Sequence, residues 1–135
     1  MKRKALTITL AAVMAMGTCA VTASAADGDT YNIGICQLVQ HDALDAATQG
    51  FKDEVIKELG EEAVTFDEQN AQGDSNTCST IVNSFVSNNV DLILANATPA
   101  LQAAAAGTSD IPILGTSVTE YGVALGLDDF DGTVG

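Results

Sequence analysis

Residues 31–51 read YNIGICQLVQHDALDAATQGF, and the fold turns on this stretch. Tyr31 to Cys36 is a short run with two isoleucines, the length and composition of a buried strand. Leu44, Ala47, Phe51, Val55 and Leu59 then recur at steps of three and four, which is one face of a helix. Between the two sits a polar cluster of Gln37, Gln40, His41 and Asp42. A strand that passes into a helix through a few polar residues is the opening half of a β-α-β unit.

Farther along, Ala63 to Phe66, Asp91 to Ala95 and Ile111 to Gly115 read as three more strands. Cys78, Ile81, Val82, Phe85 and Val86 mark a second helix, and NATPALQAAAAG at 96–107 a third. Strands alternating with helices imply parallel pairing through right-handed crossovers. The expected fold class is α/β, with a parallel, flavodoxin-like sheet flanked by helices.

End signals divide the chain in the same way. Asp42 is the expected cap of the first helix, Asp45 complements its dipole, and Gly60 follows its last apolar position. Asp74 or Ser75 suits the cap of the second. In the third, Thr98 is expected at the N-cap, Pro99 at the first helical position and Gly107 at the end. Its alanine face predicts close packing. After Gly115 the pattern thins to a loop and a fifth strand, beside an acidic patch of Asp128, Asp129 and Asp131.

The first 25 residues have Lys2, Arg3 and Lys4, then an apolar run, then small residues, the order of a secretory signal. Ala23-Ser24-Ala25 fits ordinary signal peptidase, and Cys19 after MGT is the competing, lipid-anchored start. The run from Ala5 to Met16 falls short of the roughly 20 apolar residues of a membrane span. The expected location is extracytoplasmic, either periplasmic or at the cell surface.

Removing those 25 of the 135 residues leaves 110, enough for one small domain with a core. Only Lys52 and Lys57 then stand against 18 acids, and the net charge moves from -13 to -16. Nucleic-acid binding needs clustered Lys and Arg and is excluded on that ground. Cys36 and Cys78 remain; an exported location permits a bridge, and the plainer reading is two small buried apolar residues. No zinc-type spacing exists and His41 is the only histidine, so neither a metal nor another cofactor is implied.

Ligands of open parallel sheets bind beyond the carboxyl ends of the strands. Polar residues collect there: Gln37, Gln40, His41 and Asp42; Glu68, Gln69 and Asn70; Asn96 and Thr98; Thr116, Ser117 and Thr119. Loops of such folds are also polar because their backbone needs solvation, so a cleft wall and an ordinary loop cluster both remain open. The ATPA segment places free N–H groups and the Thr98 hydroxyl where a carboxylate could sit. No nucleophile elbow, glycine-rich phosphate loop or histidine pair points to an enzyme.

The segments QHDALDAATQGF at 40–51, QNAQGD at 69–74 and ATPALQAA at 97–104, in this order, resemble the solute-binding proteins of ABC importers, in the uncharacterised or tryptophan/tyrosine-type class. The resemblance covers nearly all of the chain after the signal. It implies a periplasmic-binding-protein type I fold in which two lobes clamp a small organic solute such as an aromatic amino acid, and a monomer that delivers it to a membrane permease. Carried over by position, Gln37, His41, Asn70, Thr98 and Ser117 would line the N-terminal lobe's half of the cleft.

After Val118-Thr119 the family usually continues with aspartate and proline and then a glycine-rich loop, whereas here Glu120 and Tyr121 follow, and GTVG at 132–135 only approximates that loop. Residues 26–135 therefore read as an incomplete N-terminal lobe, with the second lobe absent from this chain, an unpaired sheet edge and weak binding in isolation. Two other classes remain as alternatives: a secreted single-domain flavodoxin-like enzyme and the ligand-sensing domain of a receptor.

Overall fold

The structure is a computed structural model and describes residues 28–132. The segment read as a signal peptide, Cys19 and the cleavage position lie outside the described residues. Strand β1, Tyr31–Gln37, is buried from Ile33 onward because it is paired on both sides. Ile33 and Ile35 face one side of the sheet with Leu94, where Phe51 and Val55 pack on them. Cys36 faces the other side, in a larger cluster with Ile81, Val82, Phe85, Ile93 and Leu101.

The other strands are β2, Val64–Asn70, β3, Leu92–Asn96, and β4, Ile113–Thr116. All pairings are parallel, in the order β2-β1-β3-β4. Helices α1, Asp42–Leu59, α2, Ser75–Ser87, and α3, Thr98–Gly107, connect them. Helix α1 covers the Ile33 face, and α2 and α3 cover the Cys36 face. This is the expected α/β arrangement, and the chain order reverses between β1 and β3, which opens a crevice there.

Two glycines set the spacing of the second layer. A Cβ on Gly34 of β1 would lie 2.7 Å from the Phe85 ring, so α2 rests on bare backbone at that point. A Cβ on Gly107 would meet Val82 Cγ1 at 2.6 Å. With Ala100, Ala103 and Ala104 buried, α3 packs against α2 as its alanine face predicts.

Four local expectations are corrected. The N-cap of α1 is His41, whose Nδ1 accepts from Ala43 N at 3.2 Å, and Asp42 is the first helical residue. The N-cap of α3 is Ala97, with Thr98 already helical and no side-chain cap bond. Strand β2 continues through Asp67, Glu68, Gln69 and Asn70, because backbone pairing with Gly34–Gln37 sustains a polar edge strand. The expected fifth strand is instead a short helix α4, Tyr121–Leu125, closed by Gly126 in the left-handed conformation at φ 68°.

Asp74 caps α2 through its side chain, accepting from Thr77 N at 2.8 Å. Leu59, assigned to the apolar face of α1, is 41% exposed at the last residue of that helix. A 3₁₀ turn, Glu61–Ala63, links α1 to β2. Among the described residues, no helix is long and apolar enough to cross a membrane.

Candidate ligand-binding site

Parallel register brings the last residues of all four strands into one row. Asn70 lies beside Gln37, Gln37 beside Asn96, and Asn96 beside Thr116. Because α1, α2, α3 and α4 each follow a strand, each begins at this same edge. Loop backbones tie the row together: Ala71 N donates to Gln37 O at 2.9 Å, Leu38 N to Asn96 O at 3.2 Å, and Ala97 N to Thr116 O at 2.9 Å.

Beneath the row lies a buried polar network. Gln37 is 4% exposed, and its Nε2 donates to Val39 O at 3.0 Å and to Asp45 Oδ1. Its Oε1 accepts from Thr48 Oγ1 at 2.7 Å. Asn96, fully buried, donates through Nδ2 to Thr48 Oγ1 at 2.9 Å and to Leu44 O at 2.8 Å. The Oδ1 of Asn96 is buried without a protein partner, at a point where an acceptor left bare costs about 1–3 kcal/mol. Thr48 and Asn96 escaped sequence reasoning as a pair; the only signal was a threonine on the inner face of an amphipathic helix.

The network separates the five residues expected to line a cleft. Gln37 is committed to holding β1, α1 and the loop between them. His41 is exposed at the start of α1, with Nδ1 turned back onto the backbone at Ala43 N. Asn70 is exposed and turns Oδ1 onto Gln72 N at 2.8 Å. Thr98 is half-buried in the first turn of α3, and Ser117 is exposed just past β4. All five therefore fall on one edge of the sheet.

The backbone of this edge is strained. Gln72, Ala97 and Ser117 have positive φ at 54°, 96° and 55°, in three of the four strand-to-helix connections. Ala97, at φ 96° and ψ 160°, occupies a region that is essentially reserved for glycine. Electrostatics differ among the helix starts. Asp42 and Asp45 answer the dipole of α1 and Asp74 that of α2, whereas α3 has no acidic residue in its first turn. The edge can therefore present N–H groups, a hydroxyl and a positive dipole end to an anionic group.

A groove of about 730 Å³ lies elsewhere, on the outer flank of β4, lined by Leu101, Ile113, Leu114 and Tyr121 among others. None of the five expected residues borders it. Among the described residues, no cluster of three His, Cys, Asp or Glu side chains is arranged to hold a metal.

An open parallel sheet with a polar edge at its chain reversal is an α/β fold that the chain shares with lobes of the periplasmic-binding-protein type I class. The ABC transporter substrate binding protein family matches residues 32–130, and the chain belongs to that family. It is 44% identical over 112 residues to a tyrosine-binding protein of Clostridioides difficile, covering 76% of this chain and 31% of that protein. A substrate-binding protein with adhesive properties from Clostridium difficile, solved ligand-free and open, superposes with a TM-score of 0.67 at 45% identity, over 72% of this chain and 33% of the other. An ABC domain from a pneumococcal Streptococcus in complex with L-Trp gives a TM-score of 0.68 at 32% identity, over 71% and 33% respectively. The chain spans about a third of the length of the relatives it matches.

The family and the two clostridial relatives are named for binding: a substrate-binding family, a tyrosine-binding protein and a substrate-binding protein. Substrate-binding proteins of this class are extracytoplasmic.

Proposed function

We propose that residues 26–135 act, after export, as the N-terminal lobe of an ABC importer's receptor, presenting one wall of a cleft for an aromatic amino acid and passing it to a membrane permease. The reading draws on relatives that bind tyrosine and tryptophan. The observation that supports an amino-acid carboxylate is the start of α3, where the Thr98 turn has no acidic residue to answer the helix dipole. His41, Asn70 and Ser117 flank that point as polar contacts, and Gln37 holds the loop that leads to His41 in place.

Catalysis has no part in this role. The receptor works as a monomer, tethered through Cys19 or released after Ala25. Affinity in such a clamp comes from burial on both sides, so a single wall binds weakly.

Isothermal titration with L-tyrosine, L-tryptophan, L-phenylalanine and L-isoleucine tests the reading, on this chain and on the reading frame extended past the Gly135 codon. The expected result is aromatic-selective binding by the extended product, weakened at least about tenfold by Thr98→Asp, which sets a carboxylate against the ligand's own. Binding that ignores the Thr98 substitution would remove α3 from the site. Failure of every aromatic ligand would refute the solute class.

A further inference from the structure

Two thiols not involved in the ligand edge lie together beneath it. Cys36 on β1 and Cys78 in the first turn of α2 are each 0% exposed and lie in the same buried cluster. The packing explains why they meet. Phe85 of α2 lies on the bare backbone of Gly34, which draws the helix onto β1. From that anchor Cys78 is two turns back along the same helix face, and Cys36 is two residues on along the same strand face. Because α2 runs opposite to β1, both steps lead to the same place.

We propose that Cys36 and Cys78 form a convertible dithiol site, whose disulfide staples the start of α2 to β1 directly under the candidate ligand edge. The inference is independent of which solute the edge takes. Both S–H bonds are broken and one S–S bond forms; the two electrons and two protons reduce a disulfide oxidant, such as oxidised glutathione, to two thiols. Attack by one thiolate gives a mixed disulfide, and the second thiol displaces the leaving group.

Burial also sets when the reaction occurs. Desolvation pushes the Cys36 thiol up to about 12 and raises that of Cys78, so thiolate is scarce in the closed fold at neutral pH. Oxidation therefore accompanies folding after export, or waits for α2 to open. An extracytoplasmic setting supplies oxidising conditions.

The test uses the full chain carrying Cys19→Ser, so that only this pair reacts. The protein is unfolded, refolded with oxidised and reduced glutathione, and analysed by intact mass, alkylation and peptide mapping. The expected product is lighter by two hydrogens, resists alkylation, yields a peptide joining Cys36 to Cys78, and unfolds at least about 10 °C above its reduced form. In sub-denaturing urea the folded protein should oxidise faster, through opening of α2. Two alkylatable thiols after refolding, or stable glutathione adducts at separate cysteines, would overturn the proposal. So would a cross-linked form that melts at or below the reduced one.

Discussion

Asn96 on β3 donates to the Thr48 hydroxyl on α1 at 2.9 Å, and that hydroxyl donates in turn to Gln37 Oε1 on β1 at 2.7 Å. One buried threonine thus joins the two strands between which the chain order reverses to the helix that follows the first. The candidate ligand edge stands on this joint, because the loop from Leu38 to His41 leaves β1 at Gln37.

Replacing Thr48 with Val keeps the shape and removes the hydroxyl. The Gln37 acceptor and one Asn96 donor are then left buried without that partner, which should cost about 2–3 kcal/mol. Urea unfolding measures this as a lowered midpoint with unchanged slope. Thr48→Ser should lose less than about 1 kcal/mol, and a Val variant at the wild-type midpoint would show that the network contributes nothing.

Ala97 holds a glycine-type conformation at the start of α3, with φ 96° and ψ 160°. Ala97→Gly should relieve strain of order 1–3 kcal/mol, less the entropy that glycine adds to the unfolded chain, for a net gain of about 1 kcal/mol. Thermal unfolding should rise by a few degrees. A fall in the midpoint would mean that the buried Ala97 methyl contributes more by packing than the backbone costs.

Gly34 and Gly50 should respond in opposite ways to alanine. At Gly34 the new methyl would sit 2.7 Å from the Phe85 ring, and overpacking of that kind costs about 1–3 kcal/mol. At Gly50, inside α1, a Cβ meets nothing within 4 Å, so alanine should stabilise the helix by about 0.5–1 kcal/mol. Equal effects at the two sites would contradict the close approach of α2 to β1.

The reduced protein should lose stability in alkali. Burial raises the Cys36 thiol from 9.0 to about 12, and Cys78 shifts in the same direction. Above pH 9 the unfolded chain gives up the Cys36 proton and the folded chain keeps it. Its contribution is complete below pH 9 and is lost as pH climbs toward 12, at up to about 1.4 kcal/mol per pH unit. Denaturation of wild type and of a Cys36→Ala, Cys78→Ala double variant, both under reductant, isolates this slope. Parallel curves for the two would refute it.

Much of the architecture was legible in one dimension. The apolar run at Tyr31–Cys36, the helical spacing from Leu44 and the face of Cys78, Ile81, Val82 and Phe85 all became the expected elements, because periodicity records which side of an element meets the core. Legibility failed where a competing interaction set the local structure. The polar end of β2 is a strand through its pairing with β1. Tyr121–Leu125 became a helix, closed by Gly126 in the left-handed conformation and anchored by the Tyr121 hydroxyl, which donates to Gly115 O at 2.8 Å.

The sequence by itself determined the alternation of strands and helices, the parallel sheet, and the edge on which Gln37, His41, Asn70, Thr98 and Ser117 fall, since strand-to-helix loops of a parallel sheet must share one side. Only the tertiary structure decided what each residue does at that edge. Gln37 is drawn down into the network with Thr48 and Asn96, His41 takes the cap expected of Asp42, and Cys36 comes to share a buried cluster with Cys78. These outcomes depend on register between strands and on how closely a helix lies on the sheet, and both are set by contacts between residues far apart in the chain.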